Sequence, residues 1–334
     1  MAEKKKQKQT RGLQRSSTSE VEKALKGQRK LWKPVSALAI SQAGHAEKSG
    51  RKPGRIWLIG EGSSRSAAEI SVELLRDLPL RKAWRGAQVF ARSAAEVLAY
   101  PHWSSEDWVV GITHRGGTKT VATVLDQASQ AGACILRVVS ADAPAVLPAV
   151  ESLLLTGPLE KVEPHTQALT TAVCAVTSFF AEPKVARDFW DQASRRKDPR
   201  LATLLKFLKR NFGMKSGPSI VLGHGRSEVI LRELQLKLLE MARHPTWFFS
   251  SETFFHGPQW ALANKARPLL WWRDEAAEDP RSDDLLDWKC PVLAFGSESG
   301  KRPHEFFESL VLAHWFSLAV AIHLGTDPDA GGMI

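Results

Sequence analysis

Cysteine is scarce in this 334-residue chain: Cys134, Cys174 and Cys290 are odd in number and in no metal-ligand spacing. That argues against a disulfide framework and makes a reducing cytoplasm the expected compartment. No cluster of metal-ligating residues stands out, so neither a metal nor a redox cofactor is expected. Long apolar runs are also missing. The longest, Leu310 to Leu324, is interrupted by His314, Ser317 and His323, and reads as too short and too polar for a membrane span. The basic run at the N-terminus has no apolar core after it, which excludes a secretory signal. Acidic residues are outnumbered, leaving a net charge of +10. About half of that charge lies in residues 1–18, where Lys4, Lys5, Lys6, Lys8, Arg11 and Arg15 oppose Glu3. This reads as a solvated, disordered arm. The remaining surplus is spread thinly and would serve an anionic small molecule as well as a nucleic acid, so nucleic acid is not an expected partner.

What is present is an ordinary globular composition, 43% hydrophobic and 25% charged, on a chain long enough for two domains. Ser17 or Thr18 would cap one or two helices running to about Gly50. From Arg55 short apolar runs alternate with helical stretches. Strands are expected at Ile56–Ile59, Ala87–Ala91, Trp108–Ile112, Ile135–Val139 and Leu153–Leu155, and an apolar helix at Thr166–Phe180. The charged stretch Pro183 to Ser216 reads as a helical connection. The alternation then restarts, with strands at Ile220–Leu222, Thr246–Phe249, Leu269–Trp272 and Val292–Phe295 and a helix at His304–Leu324. Such alternation specifies parallel sheets covered on both faces. Gly223-His224-Gly225-Arg226-Ser227 echoes Gly60-Glu61-Gly62-Ser63-Ser64 about half a chain away, which implies a duplication. The expected divisions are 1–18 (tail), 19–50 (helical segment), 51–183 (first domain), 184–215 (linker) and 216–334 (second domain).

Three segments of the first half suit phosphate, because glycine lets the backbone approach and hydroxyls and N–H groups donate at a helix start. They are Gly62-Ser63-Ser64, Thr113 through Thr118, and Thr166 with Thr170. A dinucleotide fingerprint does not fit, since no third glycine follows Gly60–Gly62.

In the second half, Glu233, Lys237 and Glu240 fall at i, i+4 and i+7, on one face of a helix that is otherwise mostly Leu and Met. Charge inside apolar surroundings is costly unless paired or used. With His256-Gly257-Pro258 a few residues on, the set suits proton transfer. The alternative is a salt-bridged face at a subunit interface, with His256 capping the next helix.

These strings resemble the SIS (sugar isomerase) domain family. The likeness is to the isomerase half of glucosamine-6-phosphate synthase and to stand-alone aldose–ketose isomerases, deaminases and deglycases. It rests on Gly62-Ser63-Ser64, Thr113-His114-Arg115-Gly116-Gly117-Thr118, His165-Thr166-Gln167-Ala168, the Glu233–Lys237–Glu240 helix, His256-Gly257-Pro258 and Gly325-Thr326-Asp327-Pro328-Asp329. The resemblance implies two tandem SIS domains, each a doubly wound α/β three-layer sandwich, in a homodimer. It implies that Ser63, Ser64, Thr113, His114 and Thr118 surround a phosphate and Thr166 the sugar. Glu240 would move a proton between C1 and C2, with Glu233 and Lys237 orienting it. His256, reaching into the neighbouring subunit, would open the sugar ring.

The chain departs from that pattern in places. Arg115 stands where serine is usual, so it either grips two phosphate oxygens or obstructs the site. Gly117 replaces a frequent glutamate and Gln167 a common lysine. The C-terminal lysine that closes over the sugar has no counterpart in Asp329-Ala330-Gly331-Gly332-Met333-Ile334. The expected function is enolisation of a sugar phosphate or amino-sugar phosphate, as an isomerase, deaminase or deglycase. The alternatives are a non-catalytic phosphosugar-binding protein and the isomerase component of an aminosugar synthase.

Overall fold

A computed structural model describes residues 19–99, 102–143, 152–211, 218–262, 269–274, 279–289, 291–295 and 303–330. The basic arm and the last four residues lie outside the described residues. Where the sequence suggested one or two helices, a single helix α1 runs Glu20–Glu47, past Pro34. Its cap is Ser19, not Ser17 or Thr18, and the Ser19 hydroxyl accepts from the Glu22 N–H at 3.1 Å. A second cap comes from the far end of the chain: the Asp329 carboxylate accepts from Glu20 N–H at 2.7 Å and Val21 N–H at 3.0 Å. The positive end of the helix dipole thus fastens the C-terminal segment.

Two parallel sheets follow. The first holds β1 (Arg55–Gly60), β2 (Gln88–Ser93), β3 (Asp107–Ile112), β4 (Cys134–Val139) and β5 (Ser152–Leu155), in the order β2-β1-β3-β4-β5. The second holds β6 (Ser219–Gly223), β7 (Thr246–Ser250), β8 (Leu269–Asp274) and β9 (Val292–Phe295), in the order β7-β6-β8-β9. The second order repeats the first, short of its last strand, so the duplication read from the glycine strings holds at the level of topology. Both central strands are almost wholly buried, as expected of parallel strands covered on both faces.

The helices of the first sheet are α2 (Ser63–Asp77), α3 (Ala94–Ala99), α4 (Lys119–Gln130) and α5 (Gln167–Phe180). The connecting stretch folds as α6 (Pro183–Arg195) and α7 (Leu201–Asn211). The second sheet carries α8 (Ser227–Ala242), α9 (Ser251–Phe255), α10 (Pro258–Leu262), α11 (Ser282–Asp287) and α12 (Pro303–Leu324). α12 has 22 residues, so the stretch judged too short for a span belongs to a helix of membrane-crossing length. Its surroundings decide otherwise: most of it is buried inside the protein. Phe307 meets Trp32 at 5.0 Å and Trp190 at 4.8 Å, joining α12 to α1 and α6. Arg29 adds a forked ion pair to Glu308, at 2.8 and 2.6 Å.

The two sheets meet through equivalent helices. α2, behind the first glycine loop, packs on α8, behind the second. Arg226 pairs with Asp77 at 2.7 Å and Arg232 with Glu69 at 3.1 Å along that seam. Both loops begin with a glycine that no other residue could replace without movement. A Cβ at Gly60 would sit 2.5 Å from the Ser64 carbonyl carbon, and one at Gly223 2.4 Å from Leu231 Cδ1. Each loop then turns on a glycine of positive φ, Gly62 at 54° and Gly225 at 61°.

Candidate active site

The strand order of the first sheet reverses between β1 and β3. The crevice beyond their carboxyl ends is where open α/β sheets hold ligands. The β1–α2 loop brings Ser63 and Ser64 there, and the β3–α4 loop brings Thr113 through Thr118. The α2–α8 seam delivers the charged stripe of α8 to the same place. Lys237 Nζ donates to Ser63 Oγ at 2.8 Å and to Glu240 Oε2 at 2.7 Å, and lies 3.3 Å from Glu233 Oε1. Ser63 Oγ also lies 3.3 Å from Glu233 Oε1. The stripe is therefore not a salt-bridged surface. Glu233 and Lys237 are fully buried, and Glu240 keeps 27% of its side chain exposed. One carboxylate balances the lysine inside; the other faces the crevice.

Electrostatics separate the two carboxylates. Burial pushes Glu233 up, but Lys237 and His314 beside it more than offset this and hold it below the usual carboxylate range. Burial also pushes Glu240 up, and there Lys237 offsets it only in part, so Glu240 ends above that range. The Lys237 ammonium, which burial alone would lower, is raised by Glu233 and Glu240 and stays charged. A raised yet ionisable carboxylate beside a fixed cation is what a general base requires.

The expected ligand-binding residues divide by what their side chains already do. The hydroxyls of Ser64, Thr113 and Thr118 make no hydrogen bond among the described residues, so they are available to a ligand. His114 is not. Its Nδ1 lies 2.6 Å from Ser140 Oγ, and its Nε2 accepts the Glu160 N–H at 3.2 Å. That pattern fixes the neutral tautomer with the proton on Nδ1, and burial drives its pKa down to about 4. His114 thus ties the β3–α4 loop to neighbouring loops. Thr166 is likewise engaged within the protein. It is fully buried, and its hydroxyl donates to Glu160 Oε1 at 3.2 Å. The same carboxylate accepts from Thr166 N–H at 3.1 Å and Ala168 N–H at 2.7 Å. The start of α5 is therefore already occupied by the protein's own anion. Arg115 is half exposed and lies 3.2 Å from Glu163.

His256 stands apart from the cluster within one chain. It is 68% exposed, with Nε2 2.8 Å from Glu252, a carboxylate also held by Arg281 at 2.9 Å. Four residues later Trp260 is 84% exposed.

Sequence reading passed over Glu160 and Glu163, and named His165 and His314 without giving either a role. His314 interrupts the apolar run of α12 and is buried 3.7 Å from Glu233 Oε1, beyond hydrogen-bond reach. A lone histidine amid Leu, Val and Trp was a signal for it. His165 packs against His114 with ring centroids 4.0 Å apart and the rings tilted by 50°, and burial, reinforced by the nearby His114, Lys237 and Arg115, lowers it to about 3. A cavity of about 520 Å³ lies elsewhere, between Trp57, Trp103 and Arg92, and its lining contains none of these groups.

Neither a family model nor a curated protein matches the sequence. Solved structures do match. One, a candidate phosphosugar isomerase from Clostridium difficile, shares 16% identity over 95% of this chain and 96% of its own, with a TM-score of 0.75. The tagatose-6-phosphate ketose/aldose isomerase of Escherichia coli shares 18% identity over 95% and 96%, with a TM-score of 0.71. The glucosamine-6-phosphate deaminase of Thermotoga maritima shares 15% over 95% and 98%, with a TM-score of 0.68. The likeness covers nearly the whole chain, so the expected architecture, two tandem parallel sheets each flanked by helices, is the fold this chain shares with them.

Proposed function

We propose that this chain is an SIS-family enzyme that binds a sugar phosphate or amino-sugar phosphate and moves a proton between its C1 and C2. The observation that carries this reading is the Ser63–Lys237–Glu240 chain of contacts. It links a raised, partly exposed carboxylate to the β1–α2 loop, where the Ser64 hydroxyl makes no hydrogen bond among the described residues. Ser64, Thr113 and Thr118 hold the phosphate. Glu240 takes the proton alpha to the carbonyl and returns it to the neighbouring carbon. Lys237, with Glu233 as its permanent counter-charge, keeps Glu240 ionised and oriented. Such a positioned base contributes roughly 10²–10⁴-fold in rate.

His256 opens the sugar ring in a partner subunit, and the exposed Trp260 beside it is covered in the same homodimer. A monomer would leave His256 outside any site, and that outcome favours the second reading, a phosphosugar-binding protein without catalysis.

Proton NMR in D2O with a panel of sugar phosphates and amino-sugar phosphates tests the reading. Deuterium at C1 or C2 supports it, and released ammonia identifies a deaminase. No exchange on any member by the folded protein contradicts it. The rate profile carries a second signature. A base with a raised pKa loses activity as pH falls through that pKa, so the acid limb should lie above the ordinary carboxylate range. A limb at or below 4.5, the ordinary value, would remove Glu240 as the base.

A further inference from the structure

Arg115 and Glu163 form an ion pair between the β3–α4 loop and the loop before α5. Arg115 sits on the glycine loop after β3, ahead of Gly116 at φ 75°. Glu163 sits on the loop before α5. That loop is tied to the helix that follows, because Glu160 caps the helix and His165 N–H donates to Glu163 O at 2.6 Å. The pair has one close approach, 3.2 Å from Arg115 Nη2 to Glu163 Oε1, and both side chains are about half exposed, 51% and 47%. An ion pair of that kind contributes at most about 1 kcal/mol and is easily exchanged.

We propose that this pair reads charge. It opens for a ligand bearing both a phosphate and an ammonium, and so selects amino-sugar phosphates over their hydroxyl counterparts. The inference rests on the phosphosugar reading above and adds the substrate class. Arg115 shares the β3–α4 loop with Thr113 and Thr118, whose hydroxyls make no hydrogen bond among the described residues, whereas Lys237 is spent on Glu233, Glu240 and Ser63. If Arg115 turns to a phosphate, Glu163 loses its partner. The Glu163 charge already helps to raise Glu240, so it lies within electrostatic reach of the base. A ligand with phosphate alone would leave two carboxylates and one new anion sharing the crevice. A ligand with an ammonium near the reacting carbons restores the balance: Arg115 pairs with phosphate and Glu163 with the ammonium. One internal ion pair is replaced by two, so neither Arg115 nor Glu163 is left without a counter-charge.

Calorimetric titration of the full chain with glucosamine 6-phosphate and glucose 6-phosphate tests this at slightly acidic pH, where the amine is protonated. The wild type should bind the amino sugar more tightly, by roughly ten-fold. Glu163→Gln should erase that preference, by loosening the amino sugar and by tightening glucose 6-phosphate through a released Arg115. Arg115→Gln should weaken both ligands. Equal affinities in the wild type, or a preference that survives Glu163→Gln at an unchanged melting temperature, would overturn the charge-reading pair and leave the phosphosugar reading standing. Tighter binding by Arg115→Gln would also overturn it, by showing the arginine to be an obstruction. If neither sugar phosphate binds the folded wild type, the phosphosugar reading falls and takes this inference with it.

Discussion

The two glycine loops share a backbone and divide the labour. In the first, Ser63 reaches across to Lys237 and Ser64 leaves its hydroxyl unpartnered. In the second, the corresponding positions are Arg226 and Ser227. Ser227 Oγ closes on its own loop, accepting from His224 N–H at 3.0 Å and donating to His224 O at 2.8 Å. Arg226 is committed to Asp77 and Glu73 of α2 and lies over Phe306. One loop keeps a hydroxyl without a hydrogen bond among the described residues, and its copy is consumed in fastening the halves together. The helices behind them differ in the same sense, since the positions of α2 that align with Glu233, Lys237 and Glu240 are Ile70, Leu74 and Asp77, so the buried lysine between carboxylates is not repeated. Duplication supplied two strand-end crevices, and side chains have closed one of them.

The contrast sets an order of effects. Lys237→Met should cost most. It strands Glu233, fully buried, without its cation, and should lower stability by about 3–5 kcal/mol. A melting temperature unchanged by that variant would show that the stripe is not a buried network. The pH dependence follows the same linkage. Glu233 has a depressed pKa in the folded protein, so its contribution is present above the ordinary carboxylate pKa and is lost as pH falls through the depressed one.

Gly60→Ala and Gly223→Ala come next, at about 1–3 kcal/mol each. Gly60 should be the worse, because its added methyl meets Ser64 backbone whereas that of Gly223 meets the tips of Leu231 and Ser227. Measured by chemical denaturation, the reverse order would mean that the second loop is the more rigid. Arg226→Ala should be smallest, about 1 kcal/mol or less, since its side chain is 36% exposed. Its turnover should stay close to that of the wild type. A large loss of activity there would break the division between a chemical loop and a structural one.

Much of this was legible in the residues. Strand runs, the helix stripe and the repeated glycines mark a parallel-sheet duplication, and strand ends shifted by only a residue or two. The stripe was readable because charge among leucines has few explanations. What the sequence did not show was commitment. Whether His114 and Thr166 face a ligand depends on Ser140 and Glu160, which lie 26 and 6 residues away and form no motif with them. The Asp329 cap on α1 joins residues 309 positions apart. α12, by contrast, was expected within one residue of its observed start, because its apolar middle is plain.

The most direct test of the account is Glu240→Gln, followed by deuterium exchange at C1 and C2 together with titration of the same ligand. The glutamine keeps the shape and the contact to Lys237 but cannot take a proton. Exchange lost by a factor of roughly 10² or more, with affinity nearly unchanged, is the predicted result. Exchange at the wild-type rate would contradict the assignment of Glu240 as the group that moves the proton.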